Sequence, residues 1–204
     1  MREDTEKFIN YLRYEKRFST HSVIAYENDL RQFADYLEMQ YKIANIEEVN
    51  HPIVRSWIVT MMETKISPRS VSRKITTLKT FYKFLLREKK VTVNPMLKIQ
   101  SPKISKRLPV FVEKTQMENL LEKVHFGEGF KALRDKLIIE MFYGTGMRLS
   151  ELINLEEENI NLNKMTLKVL GKRNKERIIP VHNKLNDFIK IYIQEKRFFF
   201  FKLL

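Results

Sequence analysis

The chain of 204 residues contains no cysteine, and this absence excludes several kinds of chemistry. Without cysteine there is no disulfide framework, no thiol nucleophile and no thiolate-bound metal or cluster. No stretch approaches the roughly 18 consecutive apolar residues that cross a bilayer, and acidic residues stand where a signal peptide would be apolar. We therefore expect a cytoplasmic protein without a membrane partner.

The distribution of charge is uneven along the chain. Lysine and arginine number 38 against 25 acidic residues, a formal net charge of +13. Residues 65–107 alone carry 13 basic and 1 acidic side chains, a net charge of +12. A basic excess of this size indicates a polyanionic partner, either nucleic acid or an anionic membrane surface.

Apolar residues at helical spacing predict four helices in the first hundred residues. Ser19 or Thr20 is the expected cap of the second helix. Asn50 precedes the third helix and Ser67 the fourth, and each is followed by a proline near the first helical position.

The fourth helix combines an apolar stripe with a basic row. Val71, Ile75, Leu78, Tyr82 and Leu85 recur at steps of three and four and predict a buried face. Cations and short hydroxyls beside that stripe suit contacts with DNA phosphates and base edges. The predicted DNA-binding residues are Arg69, Arg73, Lys74, Thr77, Lys79 and Lys83.

A proline-containing stretch without periodicity, 94–107, predicts a linker between residues 1–93 and a second domain, 108–204. The second domain opens with helical patterns, including one that Thr115 is expected to cap. The pattern then changes to period two and predicts a β-hairpin with a basic tip at 171–174. A final helix is expected from about Asn183 to Arg197.

The segment GTGMRLSEL at 144–152 places Arg148 at the start of a helix behind a glycine turn. It fits neither the phosphate-loop nor the dinucleotide-binding pattern. Two interpretations remain open with nearly equal weight. Arg148 clamps a phosphate with its planar guanidinium, or it forms a surface ion pair with Glu151.

This segment and the later GKRNKERIIP at 171–180 together resemble the tyrosine recombinase (phage integrase) family, most closely its Xer-like and transposon-integrase members. The resemblance implies a mainly α fold: a four-helix, SAM-like core-binding domain that binds DNA, then a partial α+β catalytic domain with a small β-hairpin. It also implies phosphoryl transfer without metal or other cofactor. Arg148 would hold phosphate oxygens, and Lys172 would protonate the leaving 5′ oxygen.

The later arginine, histidine and tyrosine boxes of that family are not found after the hairpin. We assign no nucleophile, Tyr192 included, and the histidines form no metal-binding spacing. The sequence is therefore interpreted as a recombinase cut within its catalytic domain, which binds duplex DNA with other recombinase protomers at the nucleoid but does not cleave it alone. Two alternatives stay open, a non-enzymatic DNA-binding regulator on this scaffold and an RNA-binding helical protein.

Overall fold

The computed structural model describes residues 2–105, 108, 110–171 and 174–201. The chain separates into two compact units, 1–108 and 109–204. The described part of the first unit contains helices and no strand, and the second combines helices with one small antiparallel sheet. The predicted mainly α class is confirmed. No helix of the described residues is long and apolar enough to span a membrane.

Four α-helices build the first unit, as the apolar spacing predicts. A π-helical turn, Tyr11–Glu15, continues the first of them, and a short 3-10 turn, Ile46–Glu48, precedes the third. The α-helices are α1 (Arg2–Asn10), α2 (Thr20–Tyr41), α3 (His51–Glu63) and α4 (Pro68–Arg87).

The polar caps are those expected from the sequence. The side chains of Ser19, Asn50 and Ser67 each accept a hydrogen bond from the backbone N–H three residues later. Each cap thereby satisfies one of the N–H groups that a helix start leaves without a partner. The apolar stripes of the helices then pack into one core around the fully buried Phe8, Phe33 and Tyr82.

Basic residues occupy the left-handed positions at the helix ends of this unit. Arg17, Lys42, Lys65 and Lys89 all have φ between 51° and 59°. Glycine is the usual residue there, but the whole chain has only 5 glycines. A cation near a helix C-terminus interacts favourably with the helix dipole, which offsets part of the conformational cost.

The boundary of the first unit lies later than residue 93. Met96 and Ile99 fall within the predicted linker, yet both are buried in the core of the first unit. Their apolar side chains attach this stretch to the helical bundle, although it has no regular secondary structure. The predicted linker 94–107 is therefore corrected at its beginning.

The second unit places helices beside a three-stranded sheet. Strands β1 (Ile160–Asn161), β2 (Thr166–Leu170) and β3 (Glu176–Pro180) lie in that order, and β2 pairs antiparallel with β3. Leu167 and Val169 point into the core, as the alternating pattern predicts. The helices are α5 (Lys114–Lys123), α6 (Gly129–Thr145), α7 (Leu149–Ile153) and α8 (Asn183–Phe201).

Two details of the second unit differ from the sequence expectations. Helix α5 begins one residue after Glu113, which is its N-cap in place of Thr115. Helix α8 continues to Phe201, beyond the expected end at Arg197, and Phe199 near its end packs on the unit. The ring of Phe199 stacks on that of Phe130, with the centroids 4.7 Å apart.

The left-handed backbone conformation of residues at the helix ends predicts an effect on stability. Replacing Lys89 (φ 56°) with glycine should raise the free energy of unfolding by up to about 1 kcal/mol, since glycine adopts this conformation without Cβ strain. Urea denaturation of the two proteins measures the difference. The control is Lys90→Gly, one residue on, where φ is not positive. Equal or larger stabilisation by the control would contradict the explanation.

Candidate functional site

Helix α4 presents a row of cations on the side opposite its buried stripe. Arg69, Lys79 and Lys83 are exposed. Within the part of the chain that the structure describes, no acidic residue forms an ion pair with any of these three. Arg73 belongs to the same row and is half exposed, but it forms an ion pair with Asp29 of α2. We call these four side chains the basic face of α4.

Two of the predicted DNA-binding residues do not belong to that face. Lys74 and Thr77 are buried, with 5% and 2% of their surface exposed. Lys74 Nζ donates to Asp29 Oδ1 at 2.9 Å, and Thr77 Oγ1 donates to Asp29 Oδ2 at 2.9 Å. The assignment of both residues to the DNA contact is corrected, because their polar atoms face the interior between α2 and α4.

In the second unit, a tight turn places Arg148 at the start of α7. Gly146 ends α6 in the left-handed conformation, with φ of 60°. The hydroxyl of Thr145 donates to the Met141 carbonyl and accepts from the Met147 N–H, at 2.5 and 3.2 Å. A Cβ at Gly144 would lie 2.9 Å from Leu185 Cδ2 of α8, so this glycine allows the two helices to approach closely.

The carboxylate of Glu151 fixes Arg148 at both its backbone and its side chain. Glu151 Oε2 accepts from the Arg148 backbone N–H at 2.7 Å, and Oε1 accepts from Arg148 Nη1 at 2.9 Å. The Glu151 side chain is buried, whereas 63% of the Arg148 side chain is exposed. The ion pair and an outward-facing guanidinium therefore coexist, so the ion-pair interpretation does not exclude phosphate binding.

A second arginine reaches the same carboxylate from the sheet. Arg177 Nη2 of β3 donates to Glu151 Oε2 at 2.8 Å. The hydrogen bond from Arg177, followed by that from the Arg148 backbone, lowers the pKa of Glu151 from 4.5 to about 2. The carboxylate therefore stays charged over the whole physiological range, and it ties α7 to the hairpin.

The hairpin begins next to this cluster. A Cβ on Gly171 would lie 3.2 Å from Glu151 Oε1 and 4.0 Å from Arg148 Nη1, so the backbone passes closely over both groups. Gly171 N–H donates to the Lys175 carbonyl at 2.8 Å and closes the turn. Asn174 takes the left-handed conformation there, with φ of 54°. Lys172, the predicted general acid, lies outside the described residues.

The remaining sequence candidates have structural partners. Tyr192 stacks on Phe130 with 5.4 Å between ring centroids, and it lines an apolar groove of about 630 Å³ between α6, α7 and α8. His182 accepts a hydrogen bond from the Leu185 N–H at the start of α8. Among the described residues, no three histidine or acidic side chains form a group that could hold a metal ion.

Sequence reasoning missed Asp29 and Arg177, although each left a signal. Asp29 lies between Tyr26 and Phe33 of the apolar spacing of α2, and a carboxylate there requires cationic partners. Arg177 shares a strand face with the inward-facing Ile179, so its side chain starts on the side of the sheet where the core and Glu151 lie.

The low pKa of Glu151 predicts how stability depends on pH. A carboxylate whose pKa is lowered by folding stabilises the protein fully above its ordinary pKa, and this contribution is lost as the pH falls from about 4.5 to about 2. Glu151→Gln should therefore lower the melting temperature at pH 7, and the difference should shrink towards pH 2. Thermal unfolding from pH 2 to 7 measures it. The control is Glu122→Gln on exposed α5, and the same pH dependence there would contradict the role of Glu151.

Comparison with known proteins relates both units to one family. Residues 5–89 match the family model described as phage integrase, N-terminal SAM-like domain. Residues 110–201 match the model described as phage integrase family. The two matches correspond closely to the two compact units and leave few residues of the chain unmatched.

The curated relatives are bacterial recombinases. The chain is 38% identical over 190 residues to tyrosine recombinase XerC of Halalkalibacterium halodurans, a match covering 93% of this chain and 62% of the relative. It is 34% identical over 192 residues to tyrosine recombinase XerD of Staphylococcus saprophyticus, covering 94% and 64%. The chain thus spans less than two thirds of the length of these relatives.

Solved structures share the fold at low sequence identity. The Tn1549 transposon integrase in complex with transposon right end DNA superposes with a TM-score of 0.73 at 16% identity, covering 92% of this chain and 63% of that one. The XerH site-specific recombinase bound to its palindromic substrate gives 0.67 at 17% identity, covering 95% and 57%. With both family models matched in order and the fold shared, the chain belongs to the tyrosine recombinase family.

Proposed function

We propose that this chain binds duplex DNA through the basic face of α4 and acts in site-specific recombination. The observation that carries the proposal is the row of exposed cations, Arg69, Lys79 and Lys83, which no acid of the described residues neutralises. A lysine or arginine that neutralises a phosphate displaces a condensed counterion from the DNA, and this release drives binding. The substrates of the related integrase and recombinase structures, both in complex with DNA, support the same partner.

In the second unit, we assign Arg148 to the phosphate that is cleaved. Its guanidinium uses Nη1 for Glu151, and the exposed remainder offers N–H groups to non-bridging phosphate oxygens. We propose Lys172 as the general acid. When the phenolate oxygen of a tyrosine bonds to phosphorus and the bond to the 5′ oxygen breaks, the lysine ammonium gives its proton to that oxygen and becomes a neutral amine. The position of Gly171 beside Arg148 supports this role for the next residue.

The proposal includes the partners and the place of action. Recombinase protomers on the same DNA are the expected protein partners, and nucleoid DNA in the cytoplasm is the expected site. A non-enzymatic regulator that occupies recombination sites would use the same basic face without chemistry. An RNA-binding protein would prefer structured RNA in direct competition with duplex DNA.

DNA binding through α4 predicts a specific salt dependence. The double variant Arg69→Ala/Lys83→Ala should reduce the slope of log affinity against log salt concentration by about 2, since each lost phosphate contact removes roughly 0.9. Fluorescence anisotropy with a mixed-sequence duplex of about 30 base pairs, titrated at several salt concentrations, measures the slope.

The matched control removes two exposed cations away from α4, Arg13 of the π-helical turn and Arg31 of α2. Arg13→Ala/Arg31→Ala should leave the slope nearly unchanged. An equal reduction in both double variants would mean that only total charge matters and would reject the α4 face. Stronger binding to a structured RNA of the same length would favour the RNA-binding alternative.

A further prediction concerns strand cleavage. No hydrogen bond or ion pair of Arg148 within the described residues involves a tyrosine, and Tyr192 is engaged in ring stacking. The 204-residue chain should therefore form no covalent adduct with a pool of nicked duplexes of randomised sequence, as judged by denaturing electrophoresis. An adduct that disappears in Tyr192→Phe would identify Tyr192 as a nucleophile and contradict this expectation.

A further inference from the structure

Asp29 lies between α2 and α4 and accepts hydrogen bonds from three side chains of α4. Its side chain is 2% exposed. Oδ1 accepts from Lys74 Nζ, and Oδ2 accepts from Thr77 Oγ1 and from Arg73 Nη1. Lys74 Nζ also donates to Gln32 Oε1 at 2.6 Å. Three donors thus surround one carboxylate at the helix interface, and Gln32 accepts a hydrogen bond from one of them. We call these four side chains, with Asp29, the Asp29 cluster.

The three cluster partners on α4 differ in exposure. Lys74 and Thr77 are buried, so solvent and DNA cannot reach their polar atoms. Half of the Arg73 side chain is exposed. Among the described contacts, its guanidinium uses only Nη1, which leaves the other N–H groups for an external anion. Arg73 is therefore the point at which the buried cluster opens onto the basic face of α4.

Lys74 compensates the charge of Asp29, so the positive charge of Arg73 is not cancelled within the cluster. One carboxylate faces two cations, so the cluster has a net charge of +1. Lys74, buried next to Asp29, neutralises the carboxylate from the inside. The positive charge that remains lies on the exposed part of Arg73, where a phosphate can approach it. A single Asp–Arg pair without Lys74 would present no net charge there.

The cluster also reduces the conformational freedom of Arg73. A free arginine on a helix surface samples many rotamers and loses this freedom when it binds a phosphate. Asp29 restricts the Arg73 guanidinium before DNA arrives, so less entropy is lost on binding. Arg69 lies one turn earlier on the same face and has no such anchor within the described residues.

We propose that Asp29 is a positioning residue for DNA binding, which holds the Arg73 guanidinium ready for a backbone phosphate. Asp29 does not touch DNA itself, since it is buried. This inference rests on the proposed function, because it assumes that the basic face of α4 meets a duplex.

A double-mutant cycle separates positioning from general effects of charge. Asp29→Asn removes a negative charge, and at long range this change alone would strengthen DNA binding equally whether or not Arg73 is present. Loss of positioning acts only through Arg73. We therefore expect Asp29→Asn to raise the Kd for DNA by a factor about three- to tenfold larger when residue 73 is arginine than when Arg73→Ala is also present. If Asp29→Asn changes the Kd by the same factor with and without Arg73→Ala, the proposal is overturned.

Asp29→Asn leaves Lys74 without its anion, so this variant is tested only below its measured melting temperature.

A second pair of variants leaves Asp29 in place. Arg73→Lys keeps the charge but loses the planar guanidinium that Asp29 orients, and it should reduce affinity about threefold or more. The matched control, Arg69→Lys, makes the same exchange at an unanchored position and should change affinity less than twofold. Equal losses at the two positions would overturn the proposal.

A third variant tests whether a general loss of stability explains the result. Val54→Ala removes buried methyl groups of α3 outside the cluster and should lower the melting temperature without changing DNA affinity. A loss of affinity in this variant equal to that in Asp29→Asn would show a structural role only. All affinities are measured with the 204-residue chain and the same duplex. Failure of the unsubstituted chain to bind that duplex would contradict the proposed function itself. If the chain binds but the effects of Asp29→Asn and Arg73→Ala on the binding free energy simply add, only the positioning role of Asp29 is contradicted.

Discussion

A buried carboxylate shared between two cations is the interaction on which both candidate surfaces depend. Asp29 fixes Arg73 and Lys74 in the first unit, and Glu151 fixes Arg148 and Arg177 in the second. A buried carboxylate is costly unless it is fully paired, and its removal would leave cations without partners. Each carboxylate has at least one arginine partner whose side chain is half or more exposed, Arg73 in the first unit and Arg148 in the second. The same arrangement therefore stabilises the interior and orients a group towards an external anion.

The cations of residues 65–107 have different structural roles. Lys65 and Lys89 end helices in the left-handed conformation, and Lys74 neutralises Asp29 inside the bundle. Arg69 and Lys83 of the basic face of α4 are exposed and form no ion pair within the described residues. Net charge alone therefore overstates the number of phosphate contacts available. The affinity for DNA depends on which side of α4 each cation occupies.

The sequence patterns predict most of the fold and part of the site. Helices, their caps and the hairpin follow from local spacing and local hydrogen bonds, which depend on few neighbours. Lys74 and Thr77 were misplaced because they lie at the edge of the apolar stripe of α4, where burial depends on α2. That dependence involves one acid, Asp29, more than forty residues away in the chain. Arg148 was selected as a candidate from its motif, but its link to Arg177 through Glu151 requires the folded hairpin.

The Asp29 cluster also restricts how the helical bundle can assemble. Its donors and acceptor lie 44 to 48 residues apart in sequence and must meet at one position along the α2–α4 interface. A packing shifted by one helical turn would still bury apolar side chains. It would, however, leave a carboxylate and an ammonium in the interior without each other, a costly arrangement. Asp29 and Lys74 therefore fix the register of α4 on α2, and with it the direction in which the basic face points.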